Sequence, residues 1–132
     1  MIRSMITRHP LLRAACMLAM LLPLGAAPPN ASPPAKGNRC GWIHNPTPAN
    51  WWLVDRDGEW EIGSQGGYQA PGMDKIRDLS ERQWVKTNGY YGYGCGCMTV
   101  SVDPKSRRIT RIYSVRQQSL AVCRGDKKLP KP

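Results

Sequence analysis

The sequence predicts a mainly β fold: a small antiparallel β-sandwich or a partly open barrel with one short helix and two disulfides. Strand-like runs recur at short intervals and are separated by frequent glycine and proline. Only one segment has helical spacing, and four cysteines lie in the part of the chain that contains the strands. This combination is typical of a small exported domain whose core is supplemented by covalent bridges.

Residues 1–27 have the order of a secretory signal peptide. Three arginines and no acid occupy the first 13 residues, and the apolar run AACMLAMLLPLGAA follows directly. This run is 14 residues long and is interrupted by Pro23, whereas a membrane-spanning helix needs about 20 apolar residues. We therefore predict export to the periplasm or the exterior, with no stable membrane span.

A proline-rich linker, residues 28–38, is predicted to follow the leader because its composition cannot bury enough apolar surface to fold. Cleavage is expected between Ala26 and Ala31, and the sequence leaves the exact bond open. The disulfide-stabilised β domain is predicted over residues 39–129, with a tail at 130–132. A domain of this size buries only about 60% of its unfolded surface, so covalent bridges are expected to stabilise it in addition to its core.

The cysteines predict two such disulfide bridges. Loss of Cys16 with the leader leaves Cys40, Cys95, Cys97 and Cys123. Two residues apart on one strand, Cys95 and Cys97 would be about 7 Å from each other, at the limit for a bridge. The sequence leaves two pairings open, Cys40–Cys95 with Cys97–Cys123 or Cys40–Cys97 with Cys95–Cys123. A four-cysteine zinc site is less favoured because C-x-C is tighter than the usual zinc spacing, and no metal or other cofactor is expected.

The segment WWLVDRDGEWEIG predicts a β-hairpin that turns at RDG, where Gly58 can adopt a positive φ. Period-two alternation predicts a shared core face for Trp52, Val54, Trp60 and Ile62. The next segment, GSQGGYQAPG, predicts a loop. A short helix or helical turn is predicted in MDKIRDLSERQ from the spacing of Met73, Ile76 and Leu79.

Three further strands are predicted in the second half. RQWVKT is one, and the Asn88-Gly89 turn leads from it into the long strand that starts YYGYGCGC. That strand is predicted to place Met98, Val100 and Val102 on one face and the cysteines on the other. After a turn at DPKSRR, ITRIYSV is predicted to return with Ile109, Arg111, Tyr113 and Val115 on one side.

Three blocks together resemble a known family: RCGWIHNPTPANWWLVDRDGEWEIGSQGGYQA, QWVKTNGYYGYGCGC and the late CRGD. The chain is similar over residues 39–129 to an uncharacterised family of exported bacterial proteins, number 4087 in the domain-of-unknown-function series. The resemblance implies an exported, disulfide-containing domain of a Gram-negative bacterium. It implies no activity, so no catalytic residue is assigned from it.

Aromatic residues are the first candidates for binding, namely Trp51, Tyr90, Tyr91 and Tyr93. In a strand Tyr91 and Tyr93 share one face and Tyr90 lies on the other, so at least one face should expose a phenol. Packing is the competing explanation, and two or three of the five tryptophans are expected in the core. The glycines between the tyrosines are better explained by a close neighbouring strand or disulfide than by access for a ligand.

Positive charge is concentrated late in the chain. Residues 104–132 hold nine Lys and Arg against Asp126 alone, a net charge of +8, whereas residues 36–103 have a net charge of −1. Arg107 and Arg111 are therefore candidates for contact with an anionic partner. The alternative is that these basic side chains lie on solvated strand edges and prevent pairing with another chain. Nucleic acid is excluded as the expected partner because the protein is predicted to be exported.

The predicted function is that of a small, monomeric, non-enzymatic binding protein, an inhibitor or immunity-type protein that acts on an exported or envelope protein in the periplasm. The alternative is a module that binds cell-wall glycan or peptidoglycan, with Trp51, Tyr91 or Tyr93 stacked on sugar rings. A small periplasmic hydrolase is the least supported class. His44 has no nearby serine or second histidine in the sequence, and the acids around the RDG turn are those of a solvated hairpin.

Overall fold

Six strands form the domain in the computed structural model, which describes residues 33–132. The strands are β1 Lys36–Thr47, β2 Asn50–Asp55, β3 Gly58–Gly63, β4 Trp84–Asn88, β5 Tyr91–Asp103 and β6 Arg108–Gln118. A 3-10 turn covers Met73–Lys75 and the single α-helix, α1, covers Leu120–Gly125. The predicted signal peptide, its cleavage region and Cys16 lie outside the described residues.

The strands belong to one sheet in the order β1-β2-β3-β6-β5-β4. β1 pairs with β5 as well as with β2, so five of the six strands follow one another around an almost closed ring. One parallel bridge, Glu61 to Arg108, is the pairing between β3 and β6, and the ring is therefore incomplete at that seam. The mainly β prediction is confirmed, in the form of one partly open, curled sheet and not a sandwich of two sheets.

The core lies inside this ring. Its fully buried side chains include Ile43, Leu53, Trp60, Ile62, Met98, Val100, Ile109 and Ile112. The segment 64–83 covers the open seam: the Tyr68 hydroxyl donates to Ile109 O at 2.7 Å, and the Ile112 N–H donates to Pro71 O at 2.8 Å. The predicted helical turn in this segment is confirmed over Met73–Lys75 only. Two tryptophans, Trp42 and Trp60, are buried, in agreement with the prediction.

The predicted core face of β2 is wrong. Leu53 is fully buried and pairs with Trp60, whereas Trp52 and Val54 lie on the opposite face of the sheet. The reason is the length of the turn, because the pairing of Asp55 with Gly58 sets Leu53 opposite Trp60, and Trp52 and Val54 opposite Glu61 and Glu59. The turn itself is as predicted, with Gly58 at φ 110°.

The predicted alternation along β6 is also wrong. Ile109 and Ile112 are buried, and Val115 packs against the same core, whereas Arg111 and Tyr113 are exposed. Two register shifts between β5 and β6 break the period of two, so that inward positions recur every third residue. On β5 the prediction is confirmed: Met98 and Val100 enter the core, and Cys95 packs in a separate cluster on the other face.

The two disulfides join Cys40 to Cys97 and Cys95 to Cys123, the crossed pairing of the two left open by the sequence. Cys40 and Cys97 are direct partners in the β1–β5 ladder. Helix α1 brings Cys123 to Cys95 in a segment for which no helix was predicted. Two such bridges indicate an extracellular or otherwise oxidising compartment. Within residues 33–132 no helix is both long and apolar enough to cross a bilayer.

The domain extends slightly beyond its predicted limits. β1 begins at Lys36, inside the predicted linker, and Lys36 pairs with Ser101 of β5. At the other end the Trp42 Nε1–H donates to Pro130 O at 3.0 Å, so the predicted tail contacts the sheet.

The glycines of YYGYGCGC allow neighbouring groups to approach the backbone of β5, as predicted. A Cβ at Gly92 would overlap Val85 O of β4. At Gly94 it would lie 2.9 Å from the Trp84 ring, and at Gly96 2.7 Å from Ile43 Cδ1. These positions are therefore required by strand packing.

Candidate functional site: an aromatic cleft

Four aromatic residues from three segments of the chain line one open cleft of about 300 Å³. Trp51 belongs to β2, Trp84 to β4, and Tyr90 and Tyr91 to the turn and start of β5. Asn45 and the loop residues 76–80 complete its lining. We call this site the aromatic cleft. It brings together three of the predicted binding residues, Trp51, Tyr90 and Tyr91.

The β4–β5 hairpin positions one wall of the aromatic cleft. The Trp84 ring lies against Gly94, and its Nε1–H donates to Tyr90 O at 3.1 Å, which fixes the tip of the hairpin. Gly89 has a φ of 58°, and the chain turns there so that the Tyr90 side chain is left 77% exposed. The Lys86 ammonium lies 4.9 Å from the centroid of the Tyr90 ring. The tip therefore displays an aromatic side chain to solvent on an anchored backbone.

Polar groups at the aromatic cleft are held by the surrounding backbone. Asn45 is 8% exposed, and its Nδ2 donates to Thr47 O at 3.0 Å and to Asn50 O at 2.8 Å. The Asp78 carboxylate accepts hydrogen bonds from the hydroxyl and the backbone N–H of Ser80, at 2.6 and 2.8 Å. These bonds lower the pKa of Asp78, which is therefore ionised at neutral pH.

Tyr93 lies elsewhere, on the outer face of the sheet. It packs edge to face on Trp42, with ring centroids 5.5 Å apart, and stacks on His44 at 5.4 Å. The expectation that Tyr90 and Tyr91 would lie on opposite faces is wrong, since both line the same cleft. Tyr90 belongs to the turn that precedes β5, so strand alternation does not apply to it.

The two predicted arginines do not line the aromatic cleft. The Arg107 guanidinium lies 3.8 Å from the centroid of the Trp60 ring and donates to Asp57 O at 2.9 Å and Glu59 O at 3.2 Å. Arg107 therefore stabilises the β2–β3 hairpin. Arg111 is exposed on β6.

Sequence reasoning missed Trp84, Asn45 and Asp78 as members of the site. One signal for Trp84 was present: the Asn88-Gly89 turn sets β4 beside β5, and the register pairs Trp84 with Gly94. Asn45 and Asp78 carried no local signal. Among residues 33–132, no three His, Cys, Asp or Glu side chains form a group that could hold a metal ion.

His44 gives the domain a testable pH dependence. Burial lowers the pKa of His44 below its ordinary value of 6.5. As the pH falls through 6.5, His44 takes up a proton in the unfolded chain before it does so in the folded one, so the free energy of unfolding should decrease. We expect His44→Gln to show a smaller decrease between pH 7 and pH 5.5 in urea unfolding. Identical decreases in the two proteins would contradict a buried neutral imidazole.

These features define a class: a disulfide-bridged, mainly β domain with an open aromatic cleft at the end of one hairpin. Residues 34–130 match the family described as protein of unknown function (DUF4087), and this match covers more than half of the chain. The chain belongs to that family, which confirms the resemblance seen in the sequence. No curated protein and no solved structure matched the chain.

Proposed function

We propose that this domain is a non-enzymatic binding protein of the periplasm or the exterior, and that its aromatic cleft binds a glycan of the cell envelope. The observation that carries the proposal is the convergence of Trp51, Trp84, Tyr90 and Tyr91 on one opening. The two disulfides support an oxidising compartment such as the periplasm or the exterior.

The chemistry of the aromatic cleft suits a sugar. A sugar ring has an apolar C–H face and an edge of hydroxyl groups, and amphipathic aromatic side chains pack well against the former. The Asp78 carboxylate can accept from hydroxyl groups, and Arg77 at the same rim can donate to them. A volume of about 300 Å³ is at the lower end of small-ligand sites, which suits one segment of a longer chain.

Two observations support binding over hydrolysis. Glycoside hydrolases commonly use two carboxyl groups, one of which keeps its proton through a raised pKa. The aromatic cleft is lined by one acidic residue, Asp78, and hydrogen bonds lower the pKa of that carboxyl. The cleft lining also contains no histidine or cysteine among the described residues.

Replacement of Tyr90 tests the proposal. Tyr90→Ala removes a side chain that is 77% exposed, so the fold should persist while affinity for the glycan falls at least about tenfold. The measurement is cosedimentation with purified peptidoglycan sacculi over a range of protein concentrations. Tyr113→Ala is the matched control, because Tyr113 is an exposed tyrosine on β6 that does not line the cleft. Absence of binding by the unaltered protein, or equal losses in both variants, would contradict the proposal.

A protein partner is the second candidate, as an inhibitor or immunity-type protein would have. The exposed Tyr90 at an anchored hairpin tip favours it, because such aromatic side chains commonly anchor protein interfaces. It ranks second because Arg107, one of the two arginines proposed to meet an acidic partner, is engaged by Trp60 and the β2–β3 turn. A 1:1 complex with a purified envelope protein, weakened by Tyr90→Ala and Arg111→Glu without any binding to sacculi, would reverse this order.

A further inference from the structure

A second groove, of about 610 Å³, lies between the outer face of the sheet and the C-terminal segment. We call it the tail groove. Its lining consists of Trp42, Tyr93, Cys123, Arg124, Asp126, Lys127, Leu129, Pro130, Lys131 and Pro132. No residue of the tail groove lines the aromatic cleft, so the two can be tested separately.

The inner side of the tail groove is apolar. Trp42 is 2% exposed and packs edge to face against Tyr93, and Leu129 packs on the same cluster. The indole N–H of Trp42 already donates to Pro130 O at 3.0 Å. Trp42 therefore supports the floor from below, and the half-buried Tyr93 and Leu129 present its accessible apolar surface.

The rim of the tail groove is cationic. Arg124, Lys127 and Lys131 line it, and all three side chains are exposed. Asp126 is the acidic side chain of the lining, and both of its oxygens are engaged: Oδ2 by Arg56 at 2.8 Å and Oδ1 by the Lys128 N–H at 3.0 Å. The cationic side chains outnumber the acidic one at this rim. A negatively charged group is therefore favoured there.

Neighbouring titratable groups leave this sign unchanged at neutral pH. His44 stacks on the far side of the floor, against Tyr93, and burial lowers the pKa of His44, so the imidazole is neutral. Arg56 lowers the pKa of Asp126, so this carboxylate stays ionised and paired with its arginine.

We infer that the tail groove binds an amphipathic anion: a soluble molecule with one apolar chain or ring and one carboxylate. The apolar part would cover Tyr93 and Leu129, and the carboxylate would meet the rim lysines. A neutral apolar molecule would leave the three cations unused, and a polyanion without an apolar part would leave the floor exposed to water. The volume of the groove lies within the usual range for small-ligand sites.

The probe for this site is 1-anilinonaphthalene-8-sulfonate, an aryl anion that fluoresces when its rings leave water. We expect saturable binding at one site, displacement by decanoate, and much weaker binding of the neutral analogue N-phenyl-1-naphthylamine. Lys127→Glu/Lys131→Glu should weaken binding at least about tenfold, and Lys127→Gln/Lys131→Gln should have an intermediate effect. The matched control is Lys75→Glu/Lys105→Glu, which changes the net charge equally at exposed residues outside the lining.

Three results would overturn the inference: equal losses in the two charge-reversed variants, equal binding of the neutral analogue, or displacement by anionic vesicles but not by monomeric decanoate. The last would assign the groove to a membrane surface. Tyr90→Ala should leave this binding unchanged, because Tyr90 lies in the aromatic cleft. The outcome is therefore independent of the glycan proposal.

Discussion

Replacement of Cys95 and Cys123 by alanine is expected to lower the free energy of unfolding by about 3–4 kcal/mol. The bridge between them closes a loop with a sequence separation of 28, and its loss enlarges the conformational freedom of the unfolded chain. Small domains are stable by about 5–15 kcal/mol, so this loss is a large share of the total. Urea unfolding followed by tryptophan fluorescence would measure it.

The matched variant, Cys40→Ala/Cys97→Ala, separates loss of stability from loss of local structure. That bridge spans 57 residues, and chain entropy predicts a loss of about 4 kcal/mol, similar to the first. Its two positions, however, remain partners in the long β1–β5 ladder. Helix α1 is tied to the sheet by Cys123, so only the first variant should accelerate hydrogen exchange in α1. Equal acceleration in both variants would contradict this role of the bridge.

Gly41→Ala is expected to lower the free energy of unfolding by about 3 kcal/mol, near the upper end for an overpacked site. A Cβ at Gly41 of β1 would overlap the carbonyl oxygen of Val54 in the paired strand β2. A backbone carbonyl in a sheet cannot rotate aside as a flexible side chain can, so the two strands must separate. Urea unfolding of the purified variant would measure the loss.

Gly37→Ala provides the control in the same strand. Gly37 also lies in β1, and a Cβ there would have no heavy atom within 4 Å. We expect unchanged stability or a gain of up to about 1 kcal/mol, because alanine restricts the unfolded chain more than glycine does. Similar losses for both glycines would show that strand entropy, and not close approach of β2, governs Gly41.

Local chemistry predicted the features that depend on a few adjacent residues. The two hairpin turns at Gly58 and Gly89, the even number of cysteines and the inward face of β5 are of this kind. The side of β2 that enters the core depends on whether the turn has two or three residues, which the letters RDG do not settle. The face pattern of β6 depends on two register shifts against β5, a nonlocal property of the sheet.

Neither the disulfide pairing nor helix α1 could be predicted from neighbouring residues in the sequence. The choice between Cys95 and Cys97 as the partner of Cys40 depends on the register of β1 against β5, strands far apart in the sequence. Helix α1 has six residues, too few to show a periodic apolar face.

The candidate site was predictable in part. The density of aromatic residues pointed to Trp51, Tyr90 and Tyr91, which do line the aromatic cleft. Asn45 and Asp78 reach it from segments that only the folded sheet brings together. Tyr90 was expected on the face opposite Tyr91 because the alternation of β5 was extended into the turn before it.

The two disulfides overlap along the chain. Cys95 lies between Cys40 and its partner Cys97, but it is bonded to Cys123 instead. An oxidant that joins thiols in their order along the chain would first join Cys40 to Cys95. The native pairing then requires that β1 find its register on β5 before oxidation, or that a catalyst reshuffle the first bridge. We therefore expect the cellular yield of this protein to depend on a disulfide isomerase and not on an oxidase alone.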